Sequence, residues 1–372
     1  MSSTKNSGLR SAQSETLEED QEAKPPDSVA LGKRLLEYLE EKGKVLSPLL
    51  ILTHDFPDPD AIAAAYGLAY LVQQEFDIEA RIAYRGVIGR TENKAMVKIL
   101  RIPAHKLRAV DLKRYPNIAL VDTQPAFQNN PWPGNRKVKI VIDQHEPVRR
   151  PLAELTLVDP QCGASCVIVA QALLMSGLKI PARLATAIAY GILSDTMDLY
   201  RAKRRDVVDA YMNILRLSDV RALARIQNPP RSKSFFVTLA RCIRSAARLR
   251  WLVVAHLGQV KNPELVAQMA DFLLTYDNIK WTFCTGRYKG RLYASLRAAK
   301  QDMPAGEILR DVFEDRKLAG GHQSIAGGSA PVGLDAPEEV WRAKEAALQL
   351  RLVKRLRLPA KGEFWKPFKR CA

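Results

Sequence analysis

The sequence predicts an α/β protein in two parts: a parallel, doubly wound sheet, then a smaller α/β unit. Three observations carry this. Short aliphatic and β-branched runs alternate with helical segments before residue 162, the order that builds parallel sheets. After the break Asn228-Pro229-Pro230-Arg231-Ser232-Lys233 the order becomes strand, helix, two strands, helix. Finally, apolar segments of the first part end in carboxylates at Asp58/Asp60, Asp122, Asp143 and Asp195. A parallel sheet gathers the carboxyl ends of its strands on one edge, where ligands bind.

The elements follow in chain order. Residues 1–28 lack periodicity and are rich in Ser, Glu and Lys, so they read as a disordered tail. Val29–Lys44 is an amphipathic helix. Leu49-Leu50-Ile51-Leu52 is a buried strand, followed by the turn Thr53-His54-Asp55-Phe56-Pro57-Asp58-Pro59-Asp60 and a helix from Ala61 to Gln74. Glu79–Tyr84 is a strand and Arg90–Leu100 a helix. Asn117–Thr123 and Lys137–His145 are strands that end in Asp122 and in Asp143-Gln144-His145. From Cys162 to Leu217 the pattern is helical. The first domain is expected at 29–227, a linker and connecting helix at 228–249, the second domain at 250–335, and a basic helix and tail at 336–372.

Composition narrows the setting. The 372 residues are 47% hydrophobic, enough for two cores, with no apolar run near the ~20 residues of a membrane helix. There is no apolar signal segment at the start, and the five Cys lack paired zinc spacing. A reducing cytoplasm is therefore expected, with the cysteines packed in the core. Lys and Arg outnumber Asp and Glu by 57 to 40, a net +17 that favours a polyanionic substrate or surface.

The turn after the first strand carries the chemistry. His54, Asp58 and Asp60 stand at i, i+4 and i+6, and Pro57 and Pro59 stiffen the chain between them. Two carboxylates and an imidazole suit a hard divalent cation such as Mn²⁺ or Mg²⁺. The plain alternative is a surface turn with Asp60 as helix N-cap. Farther along, Gly320-Gly321-His322 and Ala326-Gly327-Gly328 would let a phosphate approach the backbone, or would form a flexible loop.

Taken in order, these motifs resemble the DHH phosphoesterase family. They are His-x-x-x-Asp-x-Asp at 54–60, Val-Asp-Thr at 121–123, Asp-Gln-His at 143–145, Gly-Ile-Leu-Ser-Asp-Thr at 191–196, and Gly-Gly-His with Ala-Gly-Gly at 320–328. The resemblance spans about residues 30–335, and its last motif is similar to the smaller DHH-associated domain of the nanoRNase and pAp phosphatase branch. It implies a parallel-sheet catalytic domain, a smaller substrate-binding domain and an active site in the cleft between them. It implies two Mn²⁺ or Mg²⁺ ions: His54 and Asp58 on the first, Asp60 and Asp195 on the second, Asp122 bridging both. Asp143 would support the third motif and His145 would contact the scissile phosphate. Gly320, Gly321 and His322, with Ser295 and Arg297 from Ser-Leu-Arg, would hold substrate phosphate or sugar. Expected substrates are short RNA, linear dinucleotides or the 3′-phosphate of pAp; a homodimer is an open possibility and no membrane partner is expected.

The chain departs from the family pattern twice. Gln144 stands where the usual His binds the second metal, and an amide oxygen holds Mn²⁺ more weakly than imidazole does. Gln144 facing the substrate is the other option. Met197 follows Asp195-Thr196 where many relatives have Gly, which would narrow the substrate range. Two alternatives stay open: a cyclic-dinucleotide phosphodiesterase of the same family, and a nucleotide-binding protein on a partly degenerate scaffold.

Overall fold

The computed structural model describes residues 27–300, 303–321, 324–359 and 362–369. The expected N-terminal tail up to residue 26 and His322 lie outside the described residues. The chain divides into two compact units, one containing Met96–Arg225 and the residues up to Ile88, the other containing Gly89–Ala95 and the chain from Ile226.

In chain order the first part consists of α1 (Ser28–Lys42), β1 (Leu49–Thr53), α2 (Pro59–Glu75), β2 (Ala80–Tyr84), α3 (Thr91–Leu100), β3 (Ala104–Lys106) and α4 (Ala109–Arg114). It continues with β4 (Asn117–Val121), β5 (Val138–Asp143), β6 (Ala153–Val158), α5 (Ser165–Met175), α6 (Ala182–Thr196), α7 (Arg205–Leu217) and α8 (Val220–Gln227). The strands form one sheet in the order β3-β2-β1-β4-β5-β6, and every neighbouring pair is parallel. Strand order reverses between β1 and β4, so the crevice of a doubly wound sheet opens at their carboxyl ends. Register is in step there: Thr53 pairs with Val121, so His54 and Asp122 leave the sheet side by side.

The sequence explains the layers. β1 is buried throughout, as a central parallel strand covered on both faces must be. One face packs Leu50 and Leu52 with Leu120, Val138 and Val141, and Leu112 and Trp132 close over them. Helices α2, α5 and α6 pack against one another, and nine residues of α5 from Ser165 to Leu173 are buried. β3 and β6 were not anticipated from sequence. β3 has three residues at a sheet edge, too few to show periodicity, and β6 interleaves Glu154 and Thr156 with its apolar positions.

The second part holds α9 (Lys233–Ser245), β7 (Ala247–Leu249), β8 (Leu252–Gln259), α10 (Glu264–Leu274), β9 (Trp281–Tyr288), β10 (Arg291–Ala298), α11 (Ala305–Val312), β11 (Ala319–Gly321), β12 (Ile325–Pro331) and α12 (Glu338–Arg355). Its sheet runs β11-β12-β10-β9-β8-β7 and is antiparallel except between β8 and β9. Cys242 and Met269 from α9 and α10 pack on one face, Leu309 and Leu348 from α11 and α12 on the other. The glycine-rich segment is a correction to the loop expectation: Ala319–Gly321 and Ile325–Pro331 pair as antiparallel strands. The described end of the chain packs on this unit. Trp365 exchanges backbone hydrogen bonds with Arg248, and the Phe368 ring lies 5.1 Å from that of Tyr276.

Cys162, Cys166, Cys242 and Cys284 are buried and unpaired, as core packing requires. Among the described residues, no helix is long and apolar enough to cross a membrane.

Candidate metal centre

β1 delivers His54 and the turn delivers Asp58. The helix that follows begins at Pro59, two residues earlier than the sequence suggests, because proline fits the first helical position. Asp58 is therefore the N-cap, its Oδ1 accepting from the Ala61 backbone N–H at 3.0 Å, and Asp60 is not. Asp60 instead points inward and is fully buried. The capping bond uses one oxygen of Asp58. The other, Oδ2, lies 3.7 Å from His54 Nε2, which is 3.4 Å from Asp122 Oδ2. His54 Nδ1 lies 2.8 Å from the carbonyl of Asp55, which fixes Nδ1 as donor and leaves Nε2 for a ligand.

Asp122 follows β4 in the left-handed region at φ 55°, a conformation Asp adopts more readily than most residues. This turn aims its carboxylate back at the β1 end. Its Oδ1 accepts from Ser165 Oγ at 2.8 Å and lies 3.6 Å from His145 Nδ1. His54, Asp58 and Asp122 present ligand atoms within 4.8 Å of one another, and so do Asp122, Asp143 and His145. Asp122 belongs to both groups.

The third motif is braced from behind. Asp143 Oδ1 lies 2.8 Å from His145 Nδ1, and its Oδ2 accepts from Gln124 Nε2 at 2.7 Å. Gln124 also donates to the His145 carbonyl at 2.9 Å. Neither Gln124 nor Ser165 was singled out from sequence, because an amide two residues past an Asp and a serine opening an apolar helix carry no motif signal. Phe127 sets its ring edge-on to His145 at 6.2 Å.

Asp195 lies at the last turn of α6, and Gly191 is one helical turn earlier. A Cβ at Gly191 would stand 2.9 Å from Ala63 Cβ and 3.2 Å from the Pro59 carbonyl, so only glycine lets α6 lie this close to the start of α2. That approach brings Asp195 toward Asp60. The amide of Gln144 sits between them, Nε2 donating to Asp195 Oδ2 at 2.6 Å and facing Asp60 Oδ2 at 3.4 Å. Asp60 also accepts from the backbone N–H groups of Ser165 and Cys166 at 2.6 and 2.8 Å.

Electrostatics follow from burial. Burial opposes a charge on His54, but hydrogen bonds to the Asp122 and Asp58 carboxylates push it up to about 12. For Asp58, His54 overcomes burial and holds the carboxyl at about 2. Asp60 and Asp195 are driven well up, first by burial and then by neighbouring carboxylates. His145 is raised to about 9 by Asp143 and Asp122, against burial. Carboxylates crowded this closely are the usual surroundings of a cation. The donor set of His54, Asp58 and Asp122 fits a hard divalent ion. The set expected for a second ion fits less well, since the Asp60 and Asp195 carboxylates are already bonded to N–H groups.

In the second unit, Arg297 is buried, its Nε donating to Asp271 at 2.5 Å and Nη1 to the carbonyls of Leu296 and Ala326. The residue expected to contact substrate is thus held in an internal ion pair. Ser295 lies on the same face of β10, its Oγ buried without a hydrogen-bond partner. Gly321, at φ 148°, is required by the hairpin itself, since a Cβ would meet the Ile325 carbonyl at 2.3 Å. Gly320 faces open space.

Residues 48–192 match the model of the DHH family, N-terminal domain. The chain carries a DHH domain. Uncharacterized protein MJ1633 of Methanocaldococcus jannaschii is 34% identical over 300 residues, 80% of this chain and 61% of that protein. The chain thus spans about three fifths of that relative's length. An exopolyphosphatase-related protein from Bacteroides fragilis has the same fold, with TM-score 0.69 at 16% identity over 88% of this chain and 98% of that one.

Proposed function

We propose that this chain is a metal-dependent phosphoesterase acting on short RNA, linear dinucleotides or the 3′-phosphate of pAp. The observation that carries the reading is the convergence of His54 and Asp58, from the end of β1 and the turn after it, with Asp122 from the end of β4 at the switch point of the sheet. A divalent cation held by these three would supply Lewis acidity to a phosphoryl oxygen and to the attacking water. The chain's own groups supply the rest. Asp143 holds the His145 ring through Nδ1, and Nε2 would donate to a phosphate oxygen. In the metal-free protein Asp143 and Asp122 raise His145 to about 9, and in its protonated form it would add positive charge where the scissile phosphate gathers negative charge. Gln124 keeps the Asp143 carboxyl group aimed. By the family pattern, Gly320, Gly321 and His322 hold phosphate or sugar, and Arg297 supports that strand through Asp271.

The test is one panel: purified full chain with Mn²⁺, offered labelled RNA of about two to ten nucleotides, pAp, and linear and cyclic dinucleotides. Hydrolysis of at least one linear substrate or pAp, lost in EDTA and restored by Mn²⁺, is expected. Turnover confined to cyclic dinucleotides would reassign the substrate. No hydrolysis of any member, or full activity in metal-free protein, refutes the reading.

A further inference from the structure

The residue that separates this chain from its family pattern has a defined structural job. Gln144 stands at the end of β5, on the side of the site bounded by Asp60 and Asp195. Its amide nitrogen reaches Asp195 Oδ2 at 2.6 Å and faces Asp60 Oδ2 at 3.4 Å. A primary amide has two N–H donors, so one nitrogen can serve two carboxylates at once. It does so as a donor, the opposite of what a metal ligand does.

The rest of the subsite agrees. The opening turn of α5 gives Asp60 an N–H on each oxygen, Cys166 to Oδ1 and Ser165 to Oδ2. Hydrogen bonds from the start of a helix thus occupy both oxygens of this carboxyl group. The other group of three possible ligands is also internally satisfied. His145 Nδ1 is bonded to Asp143 Oδ1, and Asp143 Oδ2 is bonded to Gln124. An Nδ1–H committed to a carboxylate is not a metal ligand. In His54, Asp58 and Asp122 the convergent atoms are Nε2 of His54, Oδ2 of Asp58 and Oδ2 of Asp122; they face one another across a proton on Nε2, which a cation can replace.

We propose that Gln144 is an amide clamp across Asp60 and Asp195 that closes the second cation subsite, so that the chain holds one divalent ion on His54, Asp58 and Asp122. This rests on the metal-dependent reading above. It also goes further, because a single-ion centre leaves the phosphate one divalent cation short and gives His145 part of that work.

The experiment counts ions rather than turnover. The full chain is stripped with EDTA and titrated with Mn²⁺ by calorimetry, and bound manganese is measured by elemental analysis after desalting. Electron paramagnetic resonance then distinguishes a lone ion from an exchange-coupled pair. Wild type should bind one tight ion with an uncoupled signal. Gln144→His, which replaces the donor amide by an imidazole acceptor, should bind two and show the coupled signal. Gln144→Ala removes the clamp without adding a ligand and should also gain a second, weaker ion, which keeps the test decisive if the His variant fails to fold. Two tight ions in wild type overturn the clamp and leave the phosphoesterase reading standing. One ion in wild type and in both variants also overturns it, since something other than Gln144 would then close the subsite. No ion in wild type overturns both readings.

Discussion

Replacing Gln124 by methionine isolates the brace behind the third motif. Met has nearly the length and volume of Gln, so packing is kept while both N–H donors are removed. Gln124 is fully buried and donates to the Asp143 carboxylate and to the His145 carbonyl. Losing a hydrogen bond to a buried charged acceptor costs about 1.5–3 kcal/mol, and losing one to a neutral carbonyl about 1 kcal/mol. Against this stands one gain. Gln124 Oε1 is itself buried without a partner, and Met removes that unpaired acceptor, worth about 1–2 kcal/mol. The balance is about 2 kcal/mol of destabilisation, or about 4–8 °C in Tm at the size of this unit. Urea unfolding and thermal melts of metal-free protein read it directly. Turnover should fall about 10- to 100-fold, as when a residue behind a catalytic group is lost, because Asp143 no longer aims His145. Mn²⁺ affinity should stay near wild type, since Gln124 touches none of His54, Asp58 or Asp122. Stability within about 0.5 kcal/mol of wild type together with unchanged turnover would refute the brace.

Three further outcomes are expected. Asp122→Ala removes the carboxylate shared by both groups of possible ligands; it should abolish tight Mn²⁺ binding and lower turnover on the order of 10³-fold while circular dichroism stays native, and near-normal turnover in the folded variant would disprove the assignment. A proton should leave as the ion binds, because His54, raised to about 12 in metal-free protein, must be neutral to act as a ligand. The sign is fixed: the charged His54 stabilises metal-free protein fully below its unfolded pKa of about 6.5 and loses that contribution only as pH rises through about 12, so Mn²⁺ competes with the proton across pH 6–9 and its affinity rises with pH. Calorimetry in two buffers of different ionisation heat measures the release, and pH-independent affinity with no proton released would count against His54 as a ligand. Met197→Gly should stabilise the protein by about 1 kcal/mol, since Met197 ends α6 at φ 49° where glycine is favoured; a variant no more stable than wild type would show that strain there is negligible.

Much was legible in the chain itself. A run of Leu and Ile too short for a helix and buried on both faces had to be a central parallel strand, and β1 is that strand. Carboxylates at the ends of β4 and β5 had to emerge on the same edge, because parallel strands share a direction. His54, Asp58, Asp122, Asp143 and His145 were therefore readable as neighbours before any coordinates. Local chemistry was less secure. Whether Asp58 or Asp60 capped α2 depended on where proline could start the helix, a two-residue choice that periodicity does not resolve.

What the sequence could not decide was anything set by contact between distant segments. Asp195 meets the site because Gly191 admits α6 against Ala63 on α2, and that separation is a property of packed helices rather than of either helix alone. Gln124 and Ser165 act on Asp143 and Asp122 across 19 and 43 residues of chain, and no local pattern marks such a bond. Arg297 lies on the strand that the motif indicated, yet Asp271 on α10 claims its guanidinium. The same division applies to Gln144. Sequence shows that an amide has replaced an imidazole. Only the placement of Asp60 and Asp195 on either side of it makes that amide a donor, because a carboxylate can accept a hydrogen bond and cannot give one.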